Sequence, residues 1–180
     1  MTTSRFVYTT HRVRYLMRLL TASVLSFFVG GILYACIEIA VRGWTHWSMA
    51  VCGGLCLVGI YHVNRLLRRH SILLRALCGA GIITAVEFAA GCILNLWLGL
   101  DIWDYRHYTL NLLGQICPYM SFGWFLLSIP ACWISTLIHK ILCPKSFLKT
   151  LCRAVRRYAM DDTEQNVGSQ QGRAAAGHER

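Results

Sequence analysis

Four long stretches of apolar residues, separated by short polar segments, dominate the hydrophobic pattern of this chain. The stretches cover residues 19–41, 47–63, 77–98 and 116–138. A bilayer core of about 30 Å is crossed by roughly 20 residues of α-helix, so each stretch reaches or approaches the length of a membrane span. Apolar residues follow one another without the alternation expected of a membrane β-barrel strand. The pattern therefore predicts an all-α fold, a four-helix transmembrane bundle.

Positive charge alternates between the segments that flank the predicted spans. Basic residues are concentrated before the first span, between the second and third, and after the fourth: Arg5, Arg12, Arg14, Arg18, Arg65, Arg68, Arg69, Arg75, Lys140, Lys145, Lys149, Arg153, Arg156 and Arg157. The two remaining loops carry only Arg42 and Arg106. Because cytoplasmic loops of membrane proteins are enriched in Lys and Arg, this bias predicts that both termini are cytoplasmic. Its alternation at every crossing also supports the count of four spans.

The composition agrees with a membrane protein. Of the 180 residues, 56% are hydrophobic and only 14% are charged, which is too few to cover the surface of a soluble domain. The formal net charge of +10 is divided among three flanking segments rather than gathered in one patch, so we expect no nucleic-acid partner. The sequence has no phosphate-binding loop, no Gly-x-Ser-x-Gly motif, no zinc-spaced His pair and no Cys-x-x-Cys pair. We therefore expect neither an enzyme nor a bound metal or other cofactor.

Both ends of the chain are predicted to lie outside the bundle. Residues 1–18 form a basic cytoplasmic segment, and residues 161–180 have the polar composition of a disordered tail. In the basic segment 139–160, four cations recur at helical spacing: Lys145, Lys149, Arg153 and Arg156. This spacing is typical of an interfacial helix on the cytoplasmic leaflet that binds anionic lipid headgroups. Ordinary flanking charge of a cytoplasmic segment would produce the same pattern.

Small residues and one proline are notable within the spans. Glycines recur through the first three: Gly30, Gly31, Gly53, Gly54, Gly59, Gly79, Gly81 and Gly91. Because small residues let helix backbones approach one another, they predict tight packing inside the bundle. Pro130 is predicted to kink the fourth span.

Two acidic residues lie inside the predicted spans. Glu87 is near the middle of the third span, where an acidic side chain costs about 2.5–3.5 kcal/mol. It must therefore face the bundle interior, be protonated or have a partner. Asn95 lies two turns further along, and Glu38 precedes Arg42 by one turn, which permits an i,i+4 ion pair. For both carboxyl groups, a structural hydrogen bond between helices and a role in a substrate, ion or proton pathway are compatible with the sequence.

The two predicted outer loops are rich in both aromatic and polar residues. Their tryptophans and tyrosines are typical of an aromatic belt at the membrane interface. The belt does not account for the polar residues on the same side: His46, Asp101, Asp104, Arg106, His107, Asn111 and Gln115. This clustering suggests that the loops face one another and form a polar lid or a small site.

Two sequence blocks resemble a known family. The first is Arg42-Gly43-x-x-His46-Trp47-Ser48-Met49, with Gly53-Gly54-Leu55-Cys56 after it. The second, more specific block is Glu87-Phe88-x-x-Gly91-Cys92-x-x-Asn95-Leu96, followed by Trp103-Asp104-Tyr105 and by Asn111-Leu112-Leu113-Gly114-Gln115-Ile116-Cys117. Over roughly residues 19–142 the chain resembles the putative type IV ABC-transporter permease family of small bacterial membrane proteins. The resemblance implies a multi-pass protein of the bacterial cytoplasmic membrane.

Two functions follow from these features. In the first, the chain is a transporter or permease component. Glu87 and Asn95 line its pathway, Asp104 and Gln115 form the outer mouth, and the neighbouring polar residues belong to the same candidate site: Glu38, Arg42, His46 and Asn111. Four spans are few for an alternating-access pathway, so a homo-oligomer or an ATPase partner is expected. In the second, the chain is a non-transporting membrane module, such as a sensor, a scaffold or a lipid- or partner-binding protein.

Overall fold

The computed structural model describes residues 2–144 and, after them, Arg153, Arg156 and Met160, with side chains described for residue 10 and from residue 12 onward. Four α-helices follow one another: α1 (Thr2–Arg42), α2 (Trp47–Leu66), α3 (Ile72–Gly91) and α4 (Pro118–Leu142). Helix α3 continues directly into a π-helix, Cys92–Trp97. The described residues contain no β-strand, only an isolated bridge between Leu112 and Ile116.

Four helical segments are long and apolar enough to cross a membrane. They are Arg12–Arg42, Trp47–Leu66, Ile72–Trp97 and Pro118–Leu142. This finding confirms the predicted all-α fold with four membrane-spanning helices. The side of the membrane on which each terminus lies stays a prediction.

The helices extend beyond most of the predicted spans. Residues 19–41 and 47–63 lie within α1 and α2, whereas span 77–98 ends one residue after the π-helix and span 116–138 begins two residues before α4. Hydropathy locates the part of a helix that matches the bilayer core, while backbone hydrogen bonding determines where the helix ends.

The structure describes only part of the basic segment after the fourth span. Lys145 and Lys149 lie outside the described residues, and so does the predicted tail of residues 161–180. Arg153 and Arg156 are described; both have helical backbone and exposed side chains. The predicted interfacial helix stays a prediction.

Local sequence explains several helix ends. Gly43 follows α1 with a φ of +77°, and its amide donates to the carbonyl of Ile39 (2.9 Å), as is common for a glycine after a helix. Ser71 precedes α3 and its side chain accepts from the amide of Leu74 (3.3 Å), which is an N-cap. The backbone of α4 stays helical through Pro130.

Glycines bring α1 and α2 into backbone contact. A Cβ atom on Gly30 would lie 2.5 Å from the carbonyl oxygen of Gly53. A Cβ atom on Gly53 would lie 2.8 Å from the carbonyl oxygen of Gly30 and would also meet Tyr34. The predicted tight packing is confirmed for this helix pair.

One buried cluster of apolar side chains lies among the helices, and the outer surface is apolar as well. This cluster comprises Cys56, Leu57, Ile60, Ile83 and Cys132. Large apolar side chains on the outer surface include Trp133, which is 65% exposed. Such a surface suits a helix that contacts lipid tails rather than water.

The chain divides into two compact units. The helix bundle described here is Thr21–Ile141. The other unit comprises Met1–Leu20 and Leu142–Arg180, and within it Arg18 donates to the carbonyl of Leu142 (3.5 Å). All the sites described below lie in Thr21–Ile141.

Candidate functional site

Glu87 faces the interior of the bundle and is only 7% exposed. Its Oε1 accepts a hydrogen bond from the Tyr105 hydroxyl (2.8 Å), and its Oε2 accepts one from the indole Nε1 of Trp124 (2.7 Å). Tyr105 belongs to the long connection between the π-helix and α4, residues 98–117, which we call the long loop; Trp124 belongs to α4. One buried carboxyl group therefore joins three separate elements.

The Tyr105 hydroxyl is the stable hydrogen-bond donor to Glu87. Burial, and then the negative charge of Glu87, raise the pKa of Tyr105 well above its ordinary value. The phenol therefore keeps its proton at any physiological pH. A proton that reaches this pair binds the carboxyl group, and doing so weakens the bond to Tyr105, because a protonated carboxyl group is a poorer acceptor.

Asn95 is the hydrogen-bonding centre of the long loop. Its side chain lies on the π-helix and is 6% exposed. Its Nδ2 donates to the carbonyl of Trp103 (3.0 Å) and to Oε1 of Gln115 (2.8 Å), while its Oδ1 accepts from the amide of Ile102 (2.8 Å). All of its side-chain bonds thus hold the loop rather than face a cavity.

Gln115 completes this network from the other end of the loop. It is 1% exposed, and its side-chain Nε2 donates to the carbonyl of Leu113 (3.1 Å). Its backbone carbonyl accepts from the indole of Trp103 (3.1 Å). A Cβ atom on Gly91 would collide with the Gln115 side chain, so a glycine is required for the loop to pack against the end of α3. Asn95 and Gln115 were predicted as separate pathway residues, and the structure brings them together as one support.

Glu38 and Arg42 form the predicted i,i+4 ion pair, with Nη1 and Oε1 3.1 Å apart. The second carboxylate oxygen of Glu38 accepts from the Thr45 hydroxyl (3.0 Å). Arg42 also donates through Nη2 to the carbonyl of Ile102 (2.5 Å), and its guanidinium lies 4.7 Å from the ring centroid of Trp44. The pair therefore fastens the end of α1 to the long loop.

The other predicted site residues lie at the edges of this assembly. His46 caps α2: its Nδ1 accepts from the amide of Ser48 (3.4 Å) and lies 2.7 Å from the Ser48 hydroxyl. Asp104 is exposed, accepts from the amide of Arg106 (2.8 Å) and forms a solvent-exposed ion pair with that side chain.

Asn111 shapes the turn at the far side of the long loop. It donates to the carbonyls of Arg106 (3.2 Å) and Tyr108 (2.9 Å) and accepts from the amide of Gly114 (3.0 Å). Its neighbours Leu110, Leu113 and Gly114 all have positive φ. Neither Asn111 nor Asp104 shares a hydrogen bond with Glu87 in the described part of the chain.

Two neighbouring cavities lie beside Glu87. The larger, of about 190 Å³, lies among the spans and is lined almost entirely by apolar side chains. The smaller, of about 10 Å³, is lined by Glu87, Met49, Cys52, Val86 and Trp103. The two share four lining residues: Tyr34, Cys56, Ile83 and Trp124. Tyr34 and Trp124 were not predicted as site residues, although a tryptophan inside a span, away from the interfacial belt, is a signal for such a role.

A second polar cluster, which was not predicted from the sequence, lies where α2 ends and α3 begins. Asn64 is 5% exposed, and its Nδ2 is 2.9 Å from the carbonyl of Cys132 and 2.6 Å from Oγ of Ser135 in α4. Its Oδ1 accepts from Nη1 of Arg75 in α3 (2.9 Å). Asn64 thus joins α2, α3 and α4 at this end of the bundle. Glu87 joins α3, α4 and the long loop nearer the opposite end.

The described residues contain no group of three His, Cys, Asp or Glu side chains close enough to hold a metal ion. The groups present at the Glu87 site are a carboxyl group, phenol and indole donors, and an adjoining apolar cavity.

A family model described as Putative ABC-transporter type IV matches residues 25–163, well over half of the chain. The match includes all of α2, α3 and α4 and every residue of the site just described. Comparisons with curated proteins and with solved structures give no match. The chain belongs to the Putative ABC-transporter type IV family of membrane proteins.

Proposed function

We propose that this chain is a multi-pass permease component of a transport system, and that Glu87 lies on its pathway. The single observation that carries the proposal is the buried Glu87 carboxyl group beside a cavity among the spans. An acidic side chain within a span is costly, and in membrane proteins it commonly marks an ion, proton or substrate pathway. Family membership supports transport as the general class.

In this proposal the long loop is a lid over Glu87. Tyr105 contacts the carboxyl group directly, while Asn95, Gln115 and the Glu38–Arg42 pair hold the loop against the helices. Protonation of Glu87, or a ligand that competes for its oxygens, weakens the Tyr105 contact and so favours an open loop. Asn95 and Gln115 then act as supports of the lid, and Asp104, His46 and Asn111 belong to its outer rim.

A flux measurement tests the pathway role. We expect Glu87→Gln, in protein reconstituted into liposomes, to lower proton or solute flux by about tenfold or more, because the neutral amide cannot exchange a proton or attract a cation. Asp101→Asn is the matched control: Asp101 is exposed, lies in the long loop, and its substitution also removes a carboxylate. Its flux should match that of the unmodified protein.

If Glu87→Gln and Asp101→Asn give the same flux as the unmodified protein for protons and for a panel of labelled solutes, Glu87 is not on a pathway. Both proteins should first be compared by gel filtration, so that a loss of flux is not caused by misfolding.

We also propose that the chain resides in the bacterial cytoplasmic membrane with both termini in the cytoplasm. The support is the basic segment formed by the last turn of α2, which contains Arg65, and the connection to α3, which contains Arg68 and Arg69. The turn between α1 and α2, by contrast, is nearly uncharged. A reporter enzyme that is active only in the cytoplasm should be active when fused after Met160 and inactive when inserted beside Gly43. The reverse result would overturn this orientation.

A separate partner supplies what the chain itself lacks in this proposal. The chain itself catalyses no covalent reaction; a separate ATPase subunit, or a second copy of the chain, completes the transporter. Arg153 and Arg156, with Lys145 and Lys149, contact anionic lipid headgroups on the cytoplasmic side. Gentle purification from native membranes, followed by identification of copurifying proteins, tests the ATPase partner.

One observation favours a second candidate function, a non-transporting membrane module. The polar side chains of the long loop are bonded to one another and to the backbone, as in a rigid binding platform. If the loop is such a platform, Glu87→Gln changes no flux, while a partner protein or lipid copurifies with the chain.

A further inference from the structure

Among the described residues, Glu87 is the only one with a carboxyl group that lines either cavity. No Lys, Arg or His lines either cavity, and the Glu87 carboxyl group lines the smaller one. The other acidic group nearby, Glu38, lies one helical turn from Tyr34 and is already paired with Arg42. An ionised Glu87 would therefore repel an anionic ligand and attract a cationic one.

Aromatic rings surround the place where the carboxyl group and the apolar cavity meet. The ring centroids of Tyr34 and Trp124 are 6.0 Å apart with an interplanar angle of 31°, and both residues line both cavities. Trp103 lines the smaller cavity. Aromatic rings within about 6 Å attract organic cations, most strongly where water is excluded.

The larger cavity suits an apolar group. Its volume of about 190 Å³ exceeds the roughly 150 Å³ of an apolar cavity known to hold benzene. Its lining includes Leu57, Ile60, Leu127 and Ile134. The smaller cavity, of about 10 Å³, has room for no more than a water-sized group. A ligand suited to the pair therefore has an apolar body in the larger cavity and a positively charged head that reaches Glu87 where the two cavities meet.

Glu87 retains capacity for such a head. Each of its oxygens accepts one hydrogen bond in this structure, from Tyr105 or Trp124, and a carboxylate oxygen has a second lone pair. A single carboxylate without further oxygen ligands is a poor site for a divalent metal ion, which requires several. A monovalent organic cation needs only one counter-charge.

We propose that the Glu87 site binds an amphipathic organic cation, an ammonium head on a short apolar body, with the head between Glu87 and the aromatic rings and the body in the larger cavity. This inference rests on the proposed transport function and specifies the substrate class of the same site. While Tyr105 is bonded to Glu87, the space beside the carboxyl group is too small for the head, so the head reaches Glu87 when the long loop opens.

Calorimetric titration of the purified full chain in a neutral detergent tests the proposal. The probes are hexyltrimethylammonium and hexanesulfonate, which share the apolar chain and have opposite charge. We expect saturable binding of the cation and none of the sulfonate. Glu87→Gln and Trp124→Phe should each weaken cation binding, the former by about tenfold or more, because it removes the counter-charge. Trp133→Phe, on the lipid-facing side of the same helix, should bind as the unmodified protein does.

Equal binding of both probes, no saturable binding of the cation, or full cation affinity in Glu87→Gln would each overturn the proposal. The comparison of the two probes uses the unmodified protein, so it decides the question even if a variant does not fold.

The two proposals fail separately. If a flux depends on Glu87 while hexyltrimethylammonium neither binds nor competes with it, the cation assignment is wrong and the pathway role stands. If the cation binds in a Glu87-dependent manner but no flux is found, Glu87 belongs to a binding site and the transport proposal is wrong.

Discussion

Replacing Asn95 with leucine should lower the free energy of unfolding by about 3 kcal/mol, because each buried hydrogen-bonding group that loses its partner costs about 1–3 kcal/mol. The substitution leaves the amide of Ile102, the carbonyl of Trp103 and Oε1 of Gln115 without the Asn95 side chain. Water cannot readily replace it at a position that is 6% exposed. Unfolding by SDS in mixed micelles, followed by tryptophan fluorescence, measures the change.

Asn111→Leu is the matched control for this prediction. Asn111 also makes three side-chain hydrogen bonds within the long loop, but it is only partly buried. Water can bond the groups it leaves, so we expect a loss of about 1 kcal/mol or less. Equal losses in the two variants would mean that burial of the Asn95 network does not stabilise the fold.

The second large effect is expected for Gly53→Ala. The added Cβ atom would meet Tyr34 and the carbonyl oxygen of Gly30, which belong to the opposing helix. Because a backbone atom cannot rotate away as the end of a side chain does, α1 and α2 must move apart, at a cost of about 1–3 kcal/mol. The same SDS unfolding experiment should show this loss.

Gly81→Ala provides the control with the opposite sign. Gly81 lies in α3 and an added Cβ atom there has no neighbour within 4 Å. Alanine in a helix interior is favoured over glycine by roughly 0.5–1 kcal/mol, so this variant should be unchanged or slightly more stable. If Gly53→Ala were equally well tolerated, the close contact of α1 and α2 would not matter for stability.

The helices could be predicted from the sequence because the hydropathy of consecutive residues is enough to identify them. Long apolar runs indicated four membrane-spanning helices, and the spacing of Glu38 and Arg42 indicated their ion pair. Glycines such as Gly30 and Gly53 indicated close packing, since their small size has few other uses within a span. Each of these features depends on neighbours in sequence or on a general property of membrane helices.

The partners of Glu87 could not be predicted in the same way. Trp124 is distant in sequence, and which face of α4 meets α3 depends on packing that one sequence does not reveal. Asn95 and Gln115 were recognised as unusual, but their mutual bond forms only because the long loop folds back over the end of α3. Polarity alone does not distinguish a residue that supports a loop from one that faces a ligand.

Because Cys92–Trp97 is a π-helix, the direction of the Asn95 side chain depends on the number of residues in this segment more than on which apolar residues they are. Each α-helical residue turns the chain by roughly 100°, so the removal of one residue there would rotate Asn95 away from the bundle and toward lipid. An extra residue within this turn is what points Asn95 inward, because a π-turn closes over i→i+5 instead of i→i+4. Insertions and deletions between Gly91 and Asn95 should therefore be excluded among functional relatives, even where individual apolar side chains vary.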